Sequence, residues 1–477
     1  MILLSLGSNL LYDEESHSLK TQEAPMIVTL SQVVKQFQQD WPTQLEPDAI
    51  LKACHDLGYQ WRERCLDPVT TLHLFFVQVL NGNTACSHLR HLSKLEVSAS
   101  AYCQARSRLP LPVFKRLLSA VGNDLQGEPF EESSWLGHRC FWVDGSSFSM
   151  SDTPDLQDHF GQPGGQQPGC GFPVAHLMAL FHAGTGMVLK MLSSPLRTHD
   201  LSQAAKLHPS LRAGDVMVGD RGFCSYAHLA LLRERGVHAV FRMHQKQIVD
   251  FTPGRPHVEP GKPSAKGQRG RPRSHWVKQL GKEDQVVHWL KPTKPPQWMS
   301  NQQYVTLPES LEVRELRYQV QQKGFRVRIV TLVTTLIDAQ LYSLQDLAEL
   351  FFARWCIETN FAHLKTTMGL DVLKCKSVKG VLKELIVFAL IYNLVRLVMG
   401  QAAKRQHVSI ERISFIDALR WLASAQDDEL LPTLVVNPHR PGRYEPRTRK
   451  RRPKQYPLMT KPRHVLRKSL LKREKGD

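Results

Sequence analysis

Apolar residues recur at intervals of three and four through the first quarter of the chain. Segments such as VTTLHLFFVQVL (69–80) and PVFKRLLSAVGNDL (112–125) show this spacing, which predicts short helices over residues 27–130. Between them, SASAYCQARSRLP (98–110) has Ser caps and two Arg at a helix start. The pattern suits a small DNA-binding domain and, equally, a plain helical bundle. The texture changes near residue 138. HRCFWVDGSSFSM (138–150) is aromatic and β-branched enough for a buried strand. VAHLMALFHAGTGMVLKMLSS (174–194) holds two apolar runs around Gly-Thr-Gly and predicts a hairpin. DVMVGDRGF (215–223) reads as a strand, SYAHLALLRERG (225–236) as a helix ended by Gly236, and VHAVFRM (237–243) as another strand.

Residues 246–334 break this alternation. A Pro/Gly/Lys/Arg-rich stretch is followed by short strand-like pieces, which predict an inserted β-rich subdomain. One long helix is expected from Leu344 to Thr367, then an apolar helix at 381–400. The longest apolar run, Leu385–Met399, is interrupted by Asn393 and Arg396, so it suits a buried helix better than a bilayer span. The order strand, hairpin, helix, strand, helix, strand, insertion, helix is an α/β pattern with a mixed sheet, that of a ribonuclease-H-like core. The expected domains are a core at 138–245 and 335–400, the insertion at 246–334, the helical region at 27–130, and a helical segment with basic tail at 401–477. Residues 1–26 form an extension whose texture differs from that of the helical region, with Met26 an alternative start and no signal-peptide pattern.

Composition adds one decisive point. Of 477 residues, 62 are Lys or Arg and 44 are acidic, a net charge of +18. That balance points to a polyanion such as nucleic acid. Residues 440–477 alone carry 15 Lys or Arg against 3 acids, too polar and Pro-broken for a core. The nine cysteines show no Cys-x-x-Cys or zinc spacing and are expected to be reduced thiols in a cytosolic protein. The 21 His include no His-Glu-x-x-His, and Ser146 and Ser147 have no evident paired base, which argues against zinc-hydrolase and serine-triad chemistry.

Candidate chemistry lies in three acids. Asp144 ends the first core strand and Asp220 ends the central one, each beside glycine. Either, taken alone, reads at least as easily as a strand-terminating turn residue. Glu358 lies in RWCIETNFAHLK (354–365). On a continuous helix, Arg354, Glu358 and Lys365 share a narrow sector bordering the buried stripe of Leu350, Ile357 and Leu364. A surface ion pair is worth about 0.3–0.5 kcal/mol and does not demand that placement. A bound phosphate would use it, with Arg354 as a bidentate grip and Lys365 as a point charge.

The spacing Arg354, three residues, Glu358, six residues, Lys365 resembles the Tyr-(2)-Arg-(3)-Glu-(6)-Lys signature of bacterial insertion-sequence transposases of the DDE class, IS-four family. VDGSS (143–147) and GDRGF (219–223) resemble that family's first and second Asp segments, at intervals of 76 and 138 residues. The resemblance runs from about residue 27 to 465. It implies a DNA transposase in which Asp144, Asp220 and Glu358 hold two Mg²⁺ or Mn²⁺ and carry out phosphoryl transfer. Arg354 and Lys365 would bind DNA, and an aromatic of the insertion would stack on a flipped base. Trp298 is the first choice for that aromatic and Trp289 the second, against a reading of these and Trp276 as ordinary core residues. The implied partners are the terminal inverted repeats, target DNA and a second copy of the chain in a synapse, with no membrane. The implied place is the bacterial cytoplasm, at the nucleoid, and the implied route is cut-and-paste through a DNA hairpin. RGRPR (269–273) resembles a minor-groove hook, although a basic loop touching phosphates fits it better. The chain departs from the signature at Phe351, where the family has Tyr, a loss of at most one hydrogen bond, about 0.5–1.5 kcal/mol. The rival readings are a ribonuclease-H-like nuclease that cuts without joining and a former transposase that only binds DNA.

Overall fold

The computed structural model describes residues 45–93, 95–124, 134–196, 198, 200–245, 247–256, 272–320, 328–424, 431–438 and 459–473. The extension at 1–26, most of RGRPR and the basic run at 440–458 lie outside the described residues. Among the described residues five helices come first: α1 (Pro47–Asp56), α2 (Pro68–Leu80), α3 (Leu89–Ser93), α4 (Ala99–Arg108) and α5 (Leu111–Asp124). Their starts are set locally. Asp67 accepts a hydrogen bond from the Thr70 amide ahead of Pro68, and Ser98 accepts one from Ala101.

The sheet comes next. Strands β1 (Cys140–Met150), β2 (Val174–His182) and β3 (Val188–Pro195) form an antiparallel meander, with α6 (Pro154–Phe160) between the first two. After α7 (Asp200–Ala204) come β4 (Val216–Gly219), α8 (Tyr226–Glu234) and β5 (His238–Arg242), the two strands running parallel to β1. The order β3-β2-β1-β4-β5 is that of a ribonuclease-H-like core. Strands β6 (Arg273–Gly281), β7 (Asp284–Leu290), β8 (Ser310–Val320) and β9 (Arg328–Thr334) succeed them, with α9 (Asn301–Thr306) between β7 and β8. They do not form a sheet of their own. β9 pairs antiparallel with β5 through Val240–Thr334 and its neighbours, so the inserted strands extend the main sheet.

The chain then forms α10 (Leu344–Ala353), α11 (Cys356–Ala362), β10 (Val372–Leu373), α12 (Val378–Gln406), α13 (Phe415–Ser424) and α14 (Arg463–Arg473). The expected single helix over 344–367 is therefore broken. At Arg354 and Trp355 the ladder tightens to three-residue bonds: Arg354 donates to Phe351, Trp355 to Phe352 and Glu358 to Trp355. From His363 to Thr367 it widens into a π-turn. No Pro or Gly forces the break. The Arg354 side chain is instead buried against the sheet, and the tightened turn lets it reach there.

The sheet separates two cores. On one face, Trp142 and Phe148 of β1 pack with α10, α11, α12 and the N-terminal helices, including Phe75 and Phe114. On the other, Phe141 and Val143 pack with α8 and the inserted strands. The N-terminal helices thus share the main core. Glu384 of α12 is fully buried and accepts from the Asn83 side chain and the Lys374 and Cys375 amides, and Lys383 donates to the carbonyls of Arg106 and Ser107. The polar residues inside the apolar run of α12 have similar employment. Asn393 pairs with both main-chain groups of Val188, and Arg396 donates to the Thr185 carbonyl, so the β2–β3 turn is gripped by the helix. No helix among the described residues is long and apolar enough to cross a membrane.

The end of β4 tolerates only glycine. A Cβ at Gly219 would stand 2.9 Å from Val143 Cγ1 and 3.1 Å from Phe223 Cδ2. Gly219→Ala is therefore expected to lower unfolding stability by about 1–3 kcal/mol, read by urea denaturation. An unchanged midpoint would contradict the close approach of β1 and β4.

Candidate active site

Side chains of a strand alternate between its faces. Cys140 and Trp142 of β1 lie in the core that holds α10–α12, and Phe141 and Val143 lie in the other. Asp144 continues the first set, followed by Ser146 and Phe148. On β4, Val216 and Val218 share that same core, so Asp220, one residue past the strand, continues toward the same side. Val143 pairs with Gly219 in the parallel ladder, which makes Asp144 and Asp220 the next residues on adjoining chains. Glu358 stands exposed in the first turn of α11, which packs over this face.

The electrostatics tie the three together. Burial, above all, raises the Asp144 carboxyl above its ordinary range. The negative charges of Asp220 and Glu358 add to this shift, while the Gly145 amide and Arg354 oppose it. Arg354 Nη1 lies 3.2 Å from Asp144 Oδ2, and its guanidinium stands 5.3 Å over the Phe351 ring. Phe351 is buried, so where the family signature has a Tyr this chain has an aromatic support for the arginine. Lys365 Nζ donates to Ser146 Oγ at 3.0 Å, placing its charge on the β1 face two residues from Asp144. The broken helix thus still brings Arg354 and Lys365 to the strand that carries Asp144.

Among the described residues, no group of three or more His, Cys, Asp or Glu is gathered closely enough to hold one ion. The three acids are electrostatic neighbours rather than a closed cage, and Asp144 is engaged by Arg354. The donor chemistry nevertheless suits hard divalent cations, since all three groups are carboxylates. Asp220 Oδ1 is buried without a hydrogen-bond partner, an oxygen left available for a ligand.

Two aromatic expectations meet a different environment. Trp289 is 1% exposed in the core beneath the inserted strands, and its Nε1 donates to buried Glu315. The alternation of β7 turns it inward, so it offers no face for a base. Trp298 is half-buried and stacked on His228, with ring centroids 4.8 Å apart. Arg242, which is not among the residues that the sequence motifs single out, lies 3.8 Å from Asp220 Oδ1 at the end of β5. Its signal is its place at the end of the next parallel strand. Trp355, beside Arg354, is 47% exposed.

The profile described as Transposase DDE domain matches residues 135–394, more than half of the chain. The chain belongs to the transposase DDE domain family. It is 24% identical over 392 residues to transposase InsG for insertion sequence element IS4 of Escherichia coli (strain K12), covering 76% of this chain and 79% of InsG. It is 25% identical over 141 residues to the protein InsZ of the same strain, covering 29% of this chain and 47% of InsZ, so that match spans about half of the relative's length. These similarities agree with an insertion-sequence transposase of the IS4 group. Among solved structures, the piggyBac transposase synaptic complex with hairpin DNA is similar at a TM-score of 0.41 and 9% identity, over 80% of this chain and 78% of that one. The fold assignment rests on the strand order itself.

The Asp144 environment gives a signed expectation. A carboxyl whose folded pKa is raised contributes stability at low pH and loses it as pH rises through that value. In chelator, Asp144→Asn should therefore melt higher than the wild type at pH 8, and the gain should shrink as pH falls into the ordinary carboxylate range. Scanning calorimetry at several pH values measures this. A variant that melts lower at pH 8 would mean that the Arg354 pair outweighs burial and repulsion.

Proposed function

We propose that the chain is a DNA transposase that binds the terminal inverted repeats of its insertion sequence, cuts at their ends and joins them to target DNA. The observation that carries this reading is the pair of adjoining acids, Asp144 and Asp220, on the sheet face overlaid by Glu358, Arg354 and Lys365. Asp144, Asp220 and Glu358 would hold two Mg²⁺ or Mn²⁺, which supply activation of the attacking oxygen and stabilisation of the leaving one.

The chain's own residues divide the remaining work. Arg354 and Lys365 hold phosphate oxygens beside the acids, the first by paired N–H groups and the second as a compact charge. Arg242 balances Asp220 from the neighbouring strand. Phe351 keeps the Arg354 guanidinium in place. Water is the first nucleophile, and the freed 3′-hydroxyl is the second. That hydroxyl attacks the opposite strand to give a hairpin, and after the hairpin is reopened it attacks target DNA. The +18 charge supplies sequence-independent affinity, which should fall with log salt at a slope of about −0.9 per phosphate neutralised. Two copies would pair the two ends, acting in the cytoplasm at the nucleoid.

The test is cleavage and joining of duplex DNA taken from the flanks of the gene, with Mg²⁺ or with EDTA. The wild type should nick and join only with metal. Asp144→Asn, Asp220→Asn and Glu358→Gln should each lose at least the roughly 10–100-fold that removal of a mere supporting partner costs a metal site, with DNA binding retained. Nicking unchanged in Glu358→Gln would overturn its assignment. Cleavage without joining of precut ends would make the protein a nuclease, and binding without cleavage a DNA-binding protein.

A further inference from the structure

Outside the acidic site, the chain presents a pair of thiols that the transposition chemistry does not use. Cys86 opens a short 3₁₀ turn (Cys86–His88), and Cys103 lies near the middle of α4. Cys103 Sγ donates to Cys86 Sγ at 3.5 Å. Both line a cavity of about 1060 Å³ between α4 and the start of α12, which also admits Arg106, Lys374 and Cys375. Cys103 is exposed and Cys86 half-buried, so a small oxidant reaches them from solvent. Arg106 stands one turn beyond Cys103 on the same helix and lines the same cavity.

Other thiols are less well placed. Cys54, Cys140, Cys170 and Cys224 are buried, and Cys65, exposed, and Cys356, half-buried, do not line this cavity. Cys375 reaches the cavity but is 5% exposed, and burial together with Glu384 disfavours its thiolate. Burial also raises the Cys86 thiol, to about 11. Of the pair, Cys103 is the more exposed, which makes it the first sulfur to meet an oxidant and Cys86 the resolving one.

We propose that Cys86 and Cys103 are a peroxide-sensitive modification site that closes reversibly to a disulfide. The Cys103 thiolate attacks one oxygen of hydrogen peroxide, the O–O bond breaks, and the departing hydroxide takes up a proton as water. This leaves Cys103 as a sulfenic acid. The Cys86 sulfur then attacks the Cys103 sulfur, the S–O bond breaks, and the oxygen leaves as a second water with the Cys86 proton. Two thiols are oxidised by two electrons and one peroxide is reduced to two waters. The sulfurs need to approach by about 1.5 Å to reach disulfide bond length, a movement available to a surface turn. A dithiol reductant reverses the step by thiol–disulfide exchange. The closed bond staples the 3₁₀ turn to α4 across 17 residues of sequence.

The experiment uses the full chain with one equivalent of hydrogen peroxide, then alkylation of the remaining thiols and peptide mass mapping. The expected product is a Cys86–Cys103 cross-linked peptide, about 2 Da lighter than its reduced parts through loss of two hydrogens, and lost again with dithiothreitol. Cys375→Ser should give the same cross-link, whereas Cys86→Ser should instead leave Cys103 trapped as a sulfenic acid by dimedone. Oxidation should also raise the thermal midpoint of the wild type and of Cys375→Ser, but not that of Cys86→Ser. Full alkylation of both thiols after peroxide, or a dominant Cys86–Cys375 link, would overturn the proposal.

Discussion

The parallel ladder between β1 and β4 governs the whole site. Its register sets Val143 against Gly219, and the strand period then sends Asp144, in the middle of β1 and not at its end as expected, and Asp220, just past β4, to the same side of the sheet. A slip of one residue would turn Asp144 toward the opposite core and take Phe141 and Val143 out of it. Gly219 permits the pairing because no Cβ fits between Val143 and Phe223. The site is thus a consequence of hydrophobic alternation: the same pattern that buries Trp142 and Val218 presents the acids.

Placing like charges side by side under partial burial is unfavourable, and the surrounding residues offset it. Asp144 accepts from the Gly145 amide and meets Arg354, while Asp220 faces Arg242. Arg354 is in turn held over Phe351, and Lys365 is fixed to β1 by Ser146. These contacts offset the strain only in part: Asp220 Oδ1 has no hydrogen bond, and burial with the neighbouring negative charges still keeps Asp144 above its ordinary range. In the proposed function, a divalent cation between these carboxylates would relieve both burial and repulsion.

Much of this is legible in the sequence. The core strands, the hairpin at 174–194 and the order of elements follow from alternation and turn residues, because those signals are local. The break at Arg354 carries no local signal, since its cause is a tertiary one: a buried guanidinium drawn to Asp144. Trp289 is a second-choice base-stacking candidate only through the family resemblance, although DQVVHWL alternates and sets it with Val287 inside. The continuation of the sheet through β9 is equally hidden, because strand pairing across a sequence gap of 94 residues, Val240 to Thr334, leaves no trace in either segment. The shared core of the N-terminal helices rests on Glu384 and Lys383, which look like surface charges until α12 is seen to be enclosed.

If the β1–β4 register makes the site, Asp144 and Asp220 serve one pair of ions. Electron paramagnetic resonance of the full chain with Mn²⁺ and duplex DNA from the gene's flanks is the decisive experiment, because two Mn²⁺ ions roughly 3.5–4 Å apart are magnetically coupled. The wild type should give a coupled signal that disappears in both Asp144→Asn and Asp220→Asn. A coupled signal that survives either substitution would contradict the shared site.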